Sequence, residues 1–202
     1  MKKWLPLIVI GILIYAVVKW GIGVNNTMID MKGKAEISWA NVESSYQRRN
    51  DLIGNLVKTV QGAADFEKST LTDVINARAK ATSVNINAGD LTPEKMAQFQ
   101  QAQSGLTGAL SKLLVSVERY PDLKANKNFL ELQSQLEGTE NRINVERNRF
   151  NKSAGEYNIY LQKIPYNFIA SIAGFEGMSL YTSDEGSEKA TEVNFDFSNK
   201  KE

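Results

Sequence analysis

Residues Trp39 to Ala63 read WANVESSYQRRNDLIGNLVKTVQGA. Alternate steps of three and four pick out Trp39, Val42, Tyr46, Arg49, Ile53, Leu56, Val60 and Ala63. All but Arg49 suit an apolar seam, and this alternation is the heptad spacing of one helix packed along another. A strand needs a period of two, which the polar runs Glu43-Ser44-Ser45 and Gln47-Arg48-Arg49-Asn50-Asp51 deny. The stretch is a long amphipathic helix that needs partners, and the rest of the chain is read by what it offers them.

Towards the amino end the chain is uncharged from Leu5 to Val18, and apolar character resumes after Lys19 at Trp20, Ile22 and Val24. Counted to Val24, the run has about the 20 residues that cross a bilayer. Trp4 and Trp20 stand at its two ends, where indole rings favour the headgroup level. The expected span is carried by Leu5, Leu7, Ile8, Val9, Ile10, Ile12, Leu13, Ile14, Val17 and Val18. A cleaved leader would need a small-residue site, whereas Val17-Val18-Lys19-Trp20 follows, so an uncleaved anchor over 1–26 is expected. Lys2 and Lys3 flank the run more closely than Lys32 and Lys34, which leans towards a single-pass cell-membrane protein with its bundle exported.

Past the run, Gly21 and Gly23 suggest a flexible exit, with Asn25-Asn26-Thr27 as caps and the first bundle helix running from about Ile29 towards Ala64. A second helix carries Leu71, Val74, Ile75, Arg78 and Ala81, capped by Asp65 or Ser69 unless the first helix simply continues. Ser83 to Asp90 is a loop by its Asn, Gly and Asp content. Thr92-Pro93-Glu94 then starts a third helix with the seam Met96, Phe99, Gln103, Leu106, Leu110, Leu113 and Val117. Pro121 closes it, since it disfavours helical geometry at Tyr120.

A last helix from about Asn126 to Lys163 has the seam Phe129, Leu132, Leu136, Thr139, Ile143, Glu146, Phe150, Ser153, Tyr157, Tyr160 and Ile164. Its polar members are either solvated edges or parts of a buried network with Arg49 and Gln103. The four helices would be about 50, 27, 40 and 60 Å long, consistent with an all-α fold: an amino-terminal transmembrane helix, then a long antiparallel up-down-up-down four-helix bundle over 27–180.

That topology returns Ile164 to Phe175 to the membrane side. This stretch is apolar and uncharged, so Ile164, Tyr166, Phe168, Ile169, Ile172 and Phe175 either touch the membrane interface or pack under the bundle base. Residues 181–202 read as a polar, disordered tail, in which Val193, Phe195 and Phe197 alternate with polar residues.

Composition narrows the chemistry. The 202 residues carry a net charge of +1, which offers no basic excess for nucleic acid. There is no Cys and no His, which removes disulfides, thiol chemistry and histidine bases. Gly105 and Gly108 fit no phosphate loop.

The chain resembles the LemA family. The resemblance rests on the Trp39–Val57 block, ARAKA (Ala77–Ala81), LTPEKMAQFQQAQ (Leu91–Gln103), ERYPDL (Glu118–Leu123), LEGTENRI (Leu136–Ile143) and YNIYLQKIP (Tyr157–Pro165). Gly54 stands where the family commonly has Pro, and Phe66 where it commonly has His, so no histidine-based role carries over. The resemblance implies a membrane-anchored helical bundle of undefined molecular function, associated with a membrane complex.

The expectation is a non-enzymatic scaffold with no catalytic residue, metal or cofactor. Its expected partners are the lipid bilayer, an unidentified membrane protein and a second copy of the chain. One alternative is an ion-handling bundle built on Glu131, Glu137, Glu140 and Glu146, whose neighbours Arg142, Arg147 and Arg149 favour a salt-bridged face instead. The other is membrane remodelling by Ile164–Phe175.

Overall fold

The structure is a computed structural model and describes residues 4–62 and 66–182. Six helices and no strand occur among the described residues: α1 (Leu5–Gln61), α2 (Lys68–Ser83), α3 (Pro93–Val117), α4 (Pro121–Lys124), α5 (Lys127–Gln162) and α6 (Tyr166–Ala173). The Val193–Phe197 segment lies outside the described residues.

The first departure from expectation is α1, which runs unbroken for 57 residues, about 85 Å at 1.5 Å per residue. Gly21 and Gly23 make no hinge, and Asn25 to Thr27 make no cap. Thr27 Oγ1 instead donates to the Gly23 carbonyl at 3.0 Å, inside the helix. A helical glycine costs only about 1 kcal/mol against Ala, and no proline follows before Pro93. Buried Val24, Met28 and Ala35 offset that cost by packing one face of α1 into the core across the expected exit. The helix ends at Gln61 with Gly62 as its cap, so the chain does break there; Asp65 lies outside the described residues.

The other boundaries follow local chemistry. Thr92 caps α3 by accepting from the Lys95 N–H at 3.4 Å, with Pro93 in the first turn. All seven expected α3 seam residues are buried. Asn126 Oδ1 caps α5, accepting from the Asn128 and Phe129 N–H groups at 2.9 and 3.3 Å. The α5 seam is buried from Phe129 to Tyr157 at most of its positions, but Ile164 is 79% exposed beyond the helix end. In α2, Leu71, Val74 and Ala81 are buried while Ile75 is exposed. Glu67, not Asp65 or Ser69, takes its N-cap position, without a side-chain cap bond.

The helices pair α1 with α5 and α2 with α3, and α1 also packs on α2. Ser38 meets Ser153 at 3.1 Å and Arg49 meets Glu140 at 2.8 Å, so α5 numbers fall as α1 numbers rise. The core falls into two apolar clusters. One gathers Trp39, Val42, Tyr46, Phe99, Ile143, Phe150 and Tyr157; the other gathers Ile53, Leu56, Val60, Leu106, Leu113, Phe129 and Leu136. Arg49, Asn50, Gln103 and Thr139, all buried, fall between them in sequence on each helix.

Two segments without helical periodicity complete the first cluster. Ile86, in the loop between α2 and α3, is 2% exposed, and its carbonyl accepts from Trp39 Nε1 at 3.1 Å. After α6, Gly174 (φ 72°) adopts the left-handed geometry that ends the helix. The chain then runs back along α5 as a strap. Tyr181, expected at the head of the polar tail, is buried, as is Met178.

Candidate membrane-contacting surface and buried polar layer

The amino-terminal part of α1 combines an 18-residue window of mean hydropathy 2.3 with almost no burial. Leu7, Ile8, Val9, Ile10, Ile12, Leu13, Ile14, Val17 and Val18 are all exposed, while the side chain of Leu5 lies outside the described residues. An apolar helix uncovered on every side is a poor water-facing element, and it is long enough to cross a membrane. From Val24 onward one face of the same helix is buried in the core.

The Ile164–Phe175 stretch is packed on one side and uncovered on the other. Ala170 is buried, and Tyr166, Ile169 and Phe175 are half-buried against the first core cluster. Ile164, Phe168 and Ile172 are exposed, at four-residue intervals. The Tyr166 ring lies 6.2 Å from the Trp20 ring and stacks on Tyr160 at 4.6 Å, which joins α6 to α1 where the exposed run ends.

The polar layer is built around Arg49. Its Nη1 donates to Glu140 Oε1 at 2.8 Å and to Thr107 Oγ1 at 3.3 Å, and its Nη2 donates to Gln103 Oε1 at 2.5 Å. The guanidinium also sits 4.9 Å from the Tyr46 ring centroid. One side chain thus ties α1, α3 and α5 together, and its Nε has no partner among the described residues. Arg78 Nε reaches across from α2 to the Asn50 carbonyl at 2.7 Å. Thr139 donates to Gln135 within α5, and Ser153 meets Ser38, so these seam polars are local or pairwise bonds.

The acidic side chains of α5 do not converge. Glu131 accepts from Gln135, Glu137 from Gln133, Glu140 from Arg49 and Glu146 from Arg149. Among the described residues no three acidic side chains form a cation-holding group. A cleft of about 340 Å³ beside the polar layer is lined by Glu43, Gln47, Asn50, Thr82, Asn85 and Gln103, and the Thr82 hydroxyl donates to the Arg78 carbonyl.

Burial shapes the titrating groups. It pushes the Tyr46 hydroxyl far up, reinforced by the Tyr181 hydroxyl at 2.9 Å. It raises Tyr157, with Glu36 and Glu176 adding to the effect. The Glu43 carboxyl is raised by its desolvation beside the cleft.

Sequence reasoning missed the strap. Asn158 Nδ2 donates to the Met178 carbonyl and its Oδ1 accepts the Met178 N–H, both at 2.8 Å. Asn151 holds Tyr181 in the same way, and Thr182 Oγ1 meets Gln100 Oε1 at 3.0 Å. The available signal was two asparagines seven residues apart on one face of α5.

Comparison with known proteins finds relatives over most of this chain. The magnetosome protein MamQ of Magnetospirillum gryphiswaldense is 27% identical over 175 residues, covering 77% of this chain and 64% of that protein. Magnetosome protein MamQ 2 of Paramagnetospirillum magneticum is 28% identical over 168 residues, covering 75% and 62%. Protein LemA of Metamycoplasma hominis is 20% identical over 164 residues, covering 81% and 71%. The chain thus spans a little under two thirds of the MamQ relatives, and none of these names denotes an enzyme. The family model described as the LemA family matches residues 38–195, and the chain belongs to the LemA family.

Proposed function

We propose that this protein is a single-pass cell-membrane protein in which α1, α2, α3 and α5 form an antiparallel four-helix bundle that serves as a non-enzymatic scaffold for a membrane protein complex. The carrying observation is α1 itself, which exposes apolar residues on all sides from Leu7 to Val18 and then buries a seam from Val24 to Val60. A helix unbroken across that change couples a membrane segment rigidly to a packed body. The paired residues on α1 and α5, numbered in opposite directions, support the antiparallel arrangement. The separately engaged carboxylates of α5 favour a structural role over ion handling. Two relatives are named for the magnetosome and not for a reaction, which supports a role in an assembly.

The test is photo-crosslinking in intact cells, with the reactive group placed at the exposed positions Val115 and Val145 of the full chain. Recurrent capture of one membrane protein from either position is expected. Capture of this chain alone from both would overturn the scaffold reading in favour of a self-assembling body. Release of the chain from membranes by alkaline washing would overturn the anchor.

A further inference from the structure

Among the described residues, the exposed face of α6 and of the turn before it has no partner. Ile164, in the turn before α6, and Phe168 and Ile172 on it are 79, 64 and 87% exposed, while the opposite face of α6 is packed into the core. Its position narrows what covers it. The Tyr166 ring stands 6.2 Å from Trp20, where the exposed run of α1 ends, and Gly174 lines the same cleft as Lys32. Trp20 and Lys32 are about 18 Å apart along α1, so α6 climbs away from the apolar run with Ile164 at its foot. Trp20, Tyr166 and Tyr160 form a row of rings at that foot, and aromatic rings with a polar edge favour the lipid headgroup layer. Lys163, beside the foot, is exposed and suits the same layer.

We propose that the turn at Ile164 and the outer face of α6 form a second membrane contact, with Ile164 and Phe168 seated among the lipid headgroups and Ile172 at the upper edge of that layer. This rests on α1 spanning the bilayer. Apolar side chains continuous with a spanning helix meet lipid before any other surface, because the bilayer is already held against them. The contact gives α1, and the bundle continuous with it, an interfacial anchor that sets their tilt on the membrane.

The native chain has no cysteine, so any introduced one is a unique labelling site. Full-length Leu13→Cys, Ile164→Cys, Phe168→Cys, Ile172→Cys and Val115→Cys variants, carrying an environment-sensitive fluorophore, are placed in phosphatidylcholine nanodiscs with and without doxyl-labelled lipid. Labels at Ile164 and Phe168 should be quenched at least about twofold, the depth expected of interfacial apolar groups. Ile172 should be quenched less, and Val115 should not change. Quenching at Leu13 with Ile164 and Phe168 behaving like Val115 would overturn the contact and leave the anchor standing. No quenching at Leu13 would overturn the anchor as well. A disulfide-linked pair of Phe168→Cys chains would assign this face to a second copy, and quenching deeper at Ile172 than at Ile164 would reverse the proposed orientation.

Discussion

The carboxamide of Asn151 holds both backbone polar groups of Tyr181: its Nδ2 donates to the Tyr181 carbonyl and its Oδ1 accepts the Tyr181 N–H, each at 2.8 Å. With Asn158 acting likewise on Met178, two side chains replace the sheet ladder that an extended segment would otherwise need. The Arg147 guanidinium lies over the Tyr181 ring at 3.6 Å and covers the outer side of the same segment.

Asn151→Ala is therefore expected to free the strap. It leaves two half-buried backbone groups unpaired and should cost about 1–3 kcal/mol. The loss should appear in denaturant unfolding, with hydrogen exchange quickening first at the Tyr181 amide. Unchanged protection there would show that burial of Met178 and Tyr181 alone retains the segment.

Arg49 and Glu140 form an unequal pair, 3% and 41% exposed at their side chains. Arg49→Ala should destabilise by about 3–5 kcal/mol, because it removes the shared donor from a buried layer. Glu140→Ala should cost less, about 1–3 kcal/mol, because its own carboxylate is half in water although its loss leaves the buried Arg49 guanidinium without its anion. Arg49→Lys should not restore stability, since one ammonium lacks the planar fork that meets Gln103, Thr107 and Glu140 together. Equal losses for the Glu140 and Arg49 variants would contradict this division.

Alkaline unfolding should report Tyr46. Its folded value is raised by burial and then by Tyr181, above an ordinary value of 10.0. A raised value means the contribution is intact below about pH 10 and is lost as pH rises, because the unfolded chain ionises first. Tyr46→Phe should cost about 1 kcal/mol at neutral pH, from the lost hydroxyl pair, and should flatten the alkaline limb. Tyr157, raised in the same direction, keeps some of that slope.

Glu43 runs an experiment of the same sign at lower pH. Burial raises its carboxyl above 4.5, so its favourable contribution is present below that value and is lost as pH rises. Glu43→Gln should stabilise slightly at pH 7, within about 0.5 kcal/mol, with the gain vanishing in acid. Equal gains at both pH values would point to packing instead of charge.

Ile86 is a core residue on a loop. Ile86→Ala should cost about 2–5 kcal/mol, as for other fully buried aliphatic truncations. Trp39 fluorescence offers a second readout, because the indole packs against Phe99 and Phe150 while donating to the Ile86 carbonyl. A shift towards a wetter emission is expected; an unshifted spectrum would show that the loop contributes no cover.

Much of the helical plan was legible. The Trp39–Gln61 part of the first stretch, the Thr92-Pro93-Glu94 start and the helix start near Asn126 were each encoded by spacing or end chemistry within a few residues of themselves. The apolar run at Leu7–Val18 was legible for the same reason. Asn25-Asn26-Thr27 misled, because cap-forming residues act only where the chain already departs from the helix, and Thr27 found its acceptor one turn back. Of the surface at Ile164, Phe168 and Ile172, the sequence carried the apolar character but not which side chains would stay uncovered.

The sequence by itself determined most of the extent of the long helices, which face of each is apolar, the candidate membrane helix and the family likeness, because period, capping and hydropathy are local properties. Tertiary structure alone decided that α1 crosses its glycines unbroken, that Arg49 joins α1, α3 and α5, and that Ile86 and Tyr181 enter the core. The entry of Ile86 and Tyr181 rests on contacts between residues 47 apart at Trp39–Ile86 and 135 apart at Tyr46–Tyr181, and the Arg49 layer on partners 54 to 91 residues away. No spacing within either segment encodes such a contact; the packed helices create the space and the hydrogen-bond partners that make it favourable.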